Sequence, residues 1–232
     1  MKKFFQAIRQ GDLATVRELL EKKPELISGT AKQPPKKDDG QSPLQVALKA
    51  GKFDIAEYLL DMGADVNFME ADTCANEWRA PVLHDAINAA VMNCRWNTNS
   101  PHGGIEVFST KENADRAYGI LKRMIEMGAD VNGKDSYGNS CLWRFCLQAR
   151  QILPAYNHVE HKLGNDRVVT KELTDDLSGI FLLLKEHGMD MDYIAPNASC
   201  KAKELYKEEP LAYFLNLETG GKRKWFTKII RT

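Results

Sequence analysis

The sequence predicts an all-α solenoid, a stack of short helix pairs joined by β-turns. Three observations predict it. The stretch LLDMGADVN at residues 59–67 returns as MIEMGADVN at residues 124–132, and in eroded form as LKEHGMDMD at residues 184–192. Each copy carries a glycine where a helix ends and must turn left-handed. Apolar residues before these endings recur at three and four positions, the period of one helical face. Self-similarity of this kind marks units that cannot bury an apolar face alone and must stack on their neighbours.

The elements follow in order along the chain. FFQAIRQGDLATVRELLEKKPELI (residues 4–27) reads as a first helix pair, with Ala7 in the first helix, Gly11 at the turn and Leu19-Leu20 in the second helix. Lys2, Lys3, Gln6 and Arg9 give that helix the wetted outer face of a terminal unit. TAKQPPKKDD (residues 30–39), rich in Pro and charge, is a loop to the next unit rather than a domain boundary. Residues 40–67 show the unit most clearly. Ser42 caps a helix, Pro43 occupies its first position, and Leu44, Ala47 and Leu48 form its face. Gly51 ends it, and Ile55, Ala56, Leu59, Leu60 and Met62 line a second helix that Gly63 closes. Comparable starts open at Pro81-Val82-Leu83-His84, Ser140-Cys141-Leu142-Trp143 and Glu209-Pro210-Leu211-Ala212. At the end, KRKWFTKIIRT (residues 222–232) places Trp225, Phe226, Ile229 and Ile230 on one side of an amphipathic helix that closes the stack.

This text resembles the ankyrin repeat, whose unit begins Thr-Pro-Leu-His-x-Ala, continues with a Leu-Leu pair and ends Gly-Ala-Asp-Val-Asn before a β-turn. The resemblance implies one domain over residues 1–232, an ankyrin solenoid of five units near 1–29, 40–68, 80–132, 138–193 and 208–232. It also implies a non-enzymatic protein–protein interaction scaffold. A narrower form is a bacterial immunity or antitoxin-like protein that neutralises a partner.

The departures from the family pattern carry the chain's individuality. Leu59 and Met124 occupy the same slot 65 residues apart, against about 33 in the family. About 6 of the extra residues precede Pro81, and roughly 26 separate the helices of unit three. About 27 more separate the helices of unit four, so adjacent units carry insertions near residues 90–113 and 151–173 at the same place. Their apolar content predicts packed structure, the two segments folding against each other or extending their helices away from the turn tips. The His slot is filled once, by His84; Gln45, Trp143 and Ala212 replace it elsewhere, which predicts an incomplete turn network.

Trp78 and Tyr137 stand just before the Gly slot of adjacent β-turns, where the resemblance implies a concave recognition surface. Two aromatics in matched places are the composition of a binding hot spot. Lys134, Ser136 and Asn139 on the turn, Lys49 and Asn88 on the first helices, and Trp96 and Tyr156 in the insertions complete the candidate protein-binding set.

Bulk properties narrow the classes. Lys plus Arg and Asp plus Glu are 32 each, so no global field selects nucleic acid or an anionic membrane. Nowhere do 18 apolar residues run together. The opening MKKFFQAIRQGDL lacks the apolar core of a signal peptide. Five cysteines without a CxxC pair favour free thiols. The expectation is a cytoplasmic monomer that binds another protein, not a membrane or nucleic acid. The basic stretch after Glu218 fits contact with nucleic acid or phosphate about as well as it fits the basic face of the capping helix.

Chemistry is expected nowhere: no cofactor, metal or catalytic residue. His84 beside Asp85 reads as a turn histidine, and Cys141 and Cys146 as small core residues. His158 and His161 have no third ligand at a recognisable spacing, and Gly103-Gly104 lacks phosphate-loop context. The competing class is a hydrolase or transferase whose site the two insertions build.

Overall fold

The computed structural model describes residues 1–100 and 103–220. Helices α1 (Lys2–Gln10) and α2 (Leu13–Lys22) form the first pair, α3 (Pro43–Lys49) and α4 (Phe53–Asp61) the second. The third pair, α5 (Val82–Met92) and α6 (Lys111–Glu126), is split by strands β1 (Asn97–Ser100) and β2 (Gly104–Val107). The fourth, α7 (Cys141–Ala149) and α8 (Lys171–Glu186), is split by β3 (Tyr156–Asn157) and β4 (Lys162–Leu163). Short helices α9 (Ala202–Leu205) and α10 (Leu211–Leu215) follow. The expected capping helix at residues 222–232 lies outside the described residues.

First helices stack on first helices: α1 packs on α3, α3 on α5 and α5 on α7. Second helices form the layer behind, α2 against α4, α4 against α6 and α6 against α8. Phe4, Leu44, Leu83, Phe145 and Phe214 run through one continuous core between the layers. Local text starts the helices as read. The Ser42 hydroxyl accepts from the Gln45 N–H while the Gln45 side chain accepts from the Ser42 N–H, a reciprocal box that satisfies two orphan donors. Thr110 and Thr170 cap α6 and α8 alike, and each is followed by Lys-Glu. On α1, Phe4, Phe5, Ala7 and Ile8 are buried while Lys2, Lys3 and Gln6 face water.

The repeated Gly-Ala-Asp-Val-Asn is a clamp between neighbours. Gly63, Gly128 and Gly188 leave their helices at φ of 81°, 92° and 88°. Asp65 then turns the chain by accepting from the Asn67 N–H. Asn67 reaches into the next copy of the motif. Its amide donates to the Gly128 carbonyl at 3.0 Å and accepts from the Asp130 N–H at 2.8 Å. Asn132 does the same to Gly188 and Asp190, so the eroded third copy needs only its backbone to receive the clamp.

The insertions correct the all-α expectation. Each closes as an antiparallel hairpin, with Asn97 opposite Val107 in the first and Tyr156 opposite Leu163 in the second. A chain that leaves one helix and returns to the next nearby can pair its own backbone groups on the way, and a hairpin does that locally. The two insertions also meet. The Asn97 side chain donates to the Val168 carbonyl at 2.8 Å and accepts from its N–H at 2.9 Å. Asn99 N–H donates to the Asp166 carbonyl, and Trp96 stacks on Phe108 with ring centroids 4.5 Å apart. Arg95 grips both carboxylate oxygens of Asp176 on α8.

Asn97 is fully buried, so Asn97→Ala leaves both backbone groups of Val168 without their partner. The expected loss is about 1–3 kcal/mol in urea unfolding. Amide exchange should quicken in residues 165–169 as well as in 97–108. Unchanged protection of 165–169 would mean that the two insertions are ordered independently.

Candidate protein-binding surface

The position after the His slot places Val46, Asp85 and Arg144 in successive first helices. The turns that precede those helices supply what covers them. Asp135, whose side chain is fully buried, organises this region. It accepts from the Trp78 indole N–H at 3.0 Å, the Tyr137 and Asn139 N–H groups at 3.0 and 2.9 Å, and the Arg144 guanidinium at 2.9 Å. Burial works against its charge, but the hydrogen bonds from Trp78, Asn139 and Tyr137 prevail and hold its carboxyl below the usual range.

Trp78 lies between two cations, with the Lys49 ammonium 5.6 Å and the Arg144 guanidinium carbon 4.8 Å from its ring centre. The same two cations act on Asp85, which is 3% exposed. Burial pushes its carboxyl up to about 7, Lys49 and Arg144 pulling the other way.

The candidates therefore separate. Trp78, Lys49, Ser136, Asn139 and Tyr137 gather on the turns and first helices. Lys134 joins them, its ammonium 4.3 Å from the Tyr193 ring. Trp78 is half-buried and anchored, whereas Tyr137 is 49% exposed. Ser136 ties the turns together, its hydroxyl donating to the Glu77 carbonyl and accepting from the Arg79 N–H. Asn88 sits on α5 with its side-chain oxygen buried and without a hydrogen-bond partner. Trp96 and Tyr156 belong to the hairpins at the other end of the helices, Trp96 against Phe108 and Tyr156 against His158.

One reading of the turn network holds and one changes. His84 Nε2 lies 3.1 Å from the Gly133 carbonyl. Burial, with Arg144 adding to it, lowers the ring to about 4, so it is neutral at pH 7 and donates. At Gln45 and Trp143, however, the missing histidine does not leave the network incomplete. Gln45 donates from Nε2 to the Ala80 carbonyl at 3.1 Å, and Trp143 donates from Nε1 to the Tyr193 carbonyl at 3.1 Å. What the slot requires is an N–H that reaches the following turn, and an amide or an indole supplies one.

Residues 4–92 match the family model for ankyrin repeats, in three copies. Residues 4–92 carry ankyrin repeats. The ankyrin match ends with α5, where the first insertion begins. No curated protein matches the chain. Among the described residues no helix is long and apolar enough to cross a membrane.

The sequence reading passed over Asp135, Arg79 and Arg144 as binding-surface residues. For Asp135 a signal existed, since Asp-Ser-Tyr-Gly is turn text in which the aspartate accepts from the backbone N–H groups that follow. For the arginines none did, because only stacking brings Arg144 to Trp78. His158 and His161 lie in the β3–β4 connection and approach Glu209 at 3.4 Å and Glu208 at 3.7 Å. Cys94, Cys141 and Cys146 are buried, and burial pushes their thiols up, away from the reactive thiolate.

Proposed function

We propose that this ankyrin-repeat protein is a protein-binding scaffold that recognises its partner with the surface of its turns and first helices around Trp78 and Tyr137. The observation that carries the reading is the arrangement around Asp135, which fixes Trp78 between Lys49 and Arg144 while leaving Tyr137 open to solvent. Rigid, pre-placed aromatic and arginine side chains give large contact area at little ordering cost.

The fuller form of the proposal is a five-unit stack with two insertions, acting as a cytoplasmic monomer, free thiols supporting the compartment. Neutralisation of a partner, in the manner of an immunity protein or antitoxin, is the narrowest version. An enzyme built on the insertions is the less favoured class. The hairpins spend Asn97, Asn99 and Arg95 on each other and on α8, and the three buried thiols are poor nucleophiles.

A partner isolated with the intact chain provides the test. Tyr137→Ala and Trp78→Ala should each weaken it about 30-fold, the loss of roughly 2 kcal/mol typical of hot-spot aromatics. Circular dichroism melts report whether each variant stays folded. Affinity unchanged in both, but lost when the hairpins are shortened to turns, would move recognition to the insertions.

A further inference from the structure

Several charges of the outer layer of the stack are paired. Arg116 reaches Asp54 and Glu57, Arg123 reaches Asp61, and Lys122 reaches Glu126. On the turn side Arg144 pairs with Asp135 and Lys201 with Asp192, but three cations do not pair. Among the described residues Lys49, Arg79 and Lys134 make no ion pair, although the chain as a whole is neutral. The carboxylates of that side form no ion pair with them, although the Lys49 charge acts on buried Asp85. Asp135 is fully buried and committed to Trp78, Tyr137, Asn139 and Arg144. Glu70 is buried and accepts from the Ala80 N–H, and Asp85 is 3% exposed. Glu77 is the exposed carboxylate next to Trp78.

We infer that the surface around Trp78 and Tyr137 takes an extended, acidic segment of a protein partner, its carboxylates meeting Lys49, Arg79 and Lys134 and its apolar side chains lying against the two aromatics. The inference rests on the scaffold reading and supplies its partner chemistry. Charge complementarity selects the occupant: three cations without an ion pair lie beside aromatic surface, where Glu70, Asp85 and Asp135 are buried, Asp192 is paired with Lys201 and Glu77 is exposed. Geometry suits an extended chain. The Ser136 N–H donates to the Arg79 carbonyl and the Ser136 hydroxyl accepts from the Arg79 N–H, so Arg79 and Lys134 lie on adjacent turns, with Lys49 at the end of α3. Neighbouring units are about 10 Å apart, a gap that about three extended residues span. Nucleic acid fits less well, because duplex binding draws on about six to ten phosphate contacts and a cationic field. Here the cations are three and the net charge is zero.

The test is selection from a displayed library of random peptides of about twelve residues, enough for the extended span above. The selected peptides are then measured by fluorescence anisotropy against the wild type and Lys49→Glu/Lys134→Glu. Both lysines are exposed, and a melting temperature equal to wild type confirms the fold of the variant. Enriched peptides should carry several Asp or Glu beside an apolar residue and lose about tenfold or more in affinity on the charge-reversed protein. They should also weaken as salt rises from about 50 to 300 mM, since exposed charges are screened over about 10 Å or less. Neutral or basic peptides that still bind the charge-reversed protein overturn the acidic partner and leave the scaffold standing. A single-stranded oligonucleotide that binds more tightly than any selected peptide overturns it in favour of nucleic acid. No enrichment at all counts against both readings.

Discussion

Replacing Asp135 with alanine is expected to cost about 3–5 kcal/mol of stability, the range for breaking a buried ion pair by removing one partner. The Asp135 side chain is fully buried and that of Arg144 only 14% exposed, so the guanidinium is left with a charge it cannot return to water. The Arg144 Nε is already buried without a partner, which removes the nearest alternative. The Tyr137 and Asn139 N–H groups lose their acceptor at the same stroke, and so does the Trp78 indole. Such a loss is a large part of the roughly 5–15 kcal/mol that holds a domain folded. Urea unfolding should show a lower midpoint at an unchanged slope. Asp135→Asn keeps the volume and one acceptor and should lose less. A cost under about 1 kcal/mol for the alanine variant would mean that water replaces the carboxylate and that Asp135 does not hold the surface together.

The second large effect is in the pH dependence of His84 and Asp85, neighbours in sequence that burial pushes in opposite directions. His84 falls from 6.5 to about 4. Its neutral form therefore stabilises the fold fully above pH 6.5, and that contribution is lost as pH drops toward 4. At 1.36 kcal/mol per unit the change is about 3 kcal/mol. Asp85 rises from 3.8 to about 7. Its protonated form stabilises the fold fully below pH 3.8, and the contribution is lost as pH climbs toward 7, by about 4 kcal/mol on the same arithmetic. Between about pH 4 and 6.5 the unfolded chain has gained one proton at His84 and given up one at Asp85, so the two slopes cancel.

Single substitutions should expose each slope. Asp85→Asn leaves the histidine alone, and stability should then rise with pH from about 4 to 6.5. His84→Gln keeps the N–H that the slot needs, as Gln45 shows, and leaves the carboxyl alone, so stability should fall across about pH 4 to 7. Urea midpoints at half-unit steps of pH decide it. Profiles of both variants that superimpose on the wild type would show that neither group titrates differently in the folded chain.

Much of the architecture was legible because it is written in short range. Ser42-Pro43, the glycines at 63, 128 and 188, and the apolar faces of α3 and α4 act within one helix or one turn, so the residues that decide them are adjacent in the text. The His84 bond to a turn carbonyl was also readable from its slot. The insertions were legible as packed segments at equivalent places, but not as hairpins. Strands of two to four residues leave too little alternation to identify.

The binding surface divided along the same line. By itself the sequence determined that this chain is a stack of helix pairs, with ankyrin repeats over residues 4–92, that Trp78 and Tyr137 occupy adjacent turns, and that net charge favours no polyanion. Only the tertiary structure decided that Trp78 turns inward to Asp135, 57 residues away, while Tyr137 stays open. It likewise decided that Gln45 reaches a carbonyl 35 residues on, and that Arg95 meets Asp176 at a separation of 81. Among the described residues it also left Lys49, Arg79 and Lys134 without an ion pair. Capping, turning and helical periodicity depend on neighbours in the chain, whereas burial and charge pairing depend on which distant groups the stack sets face to face.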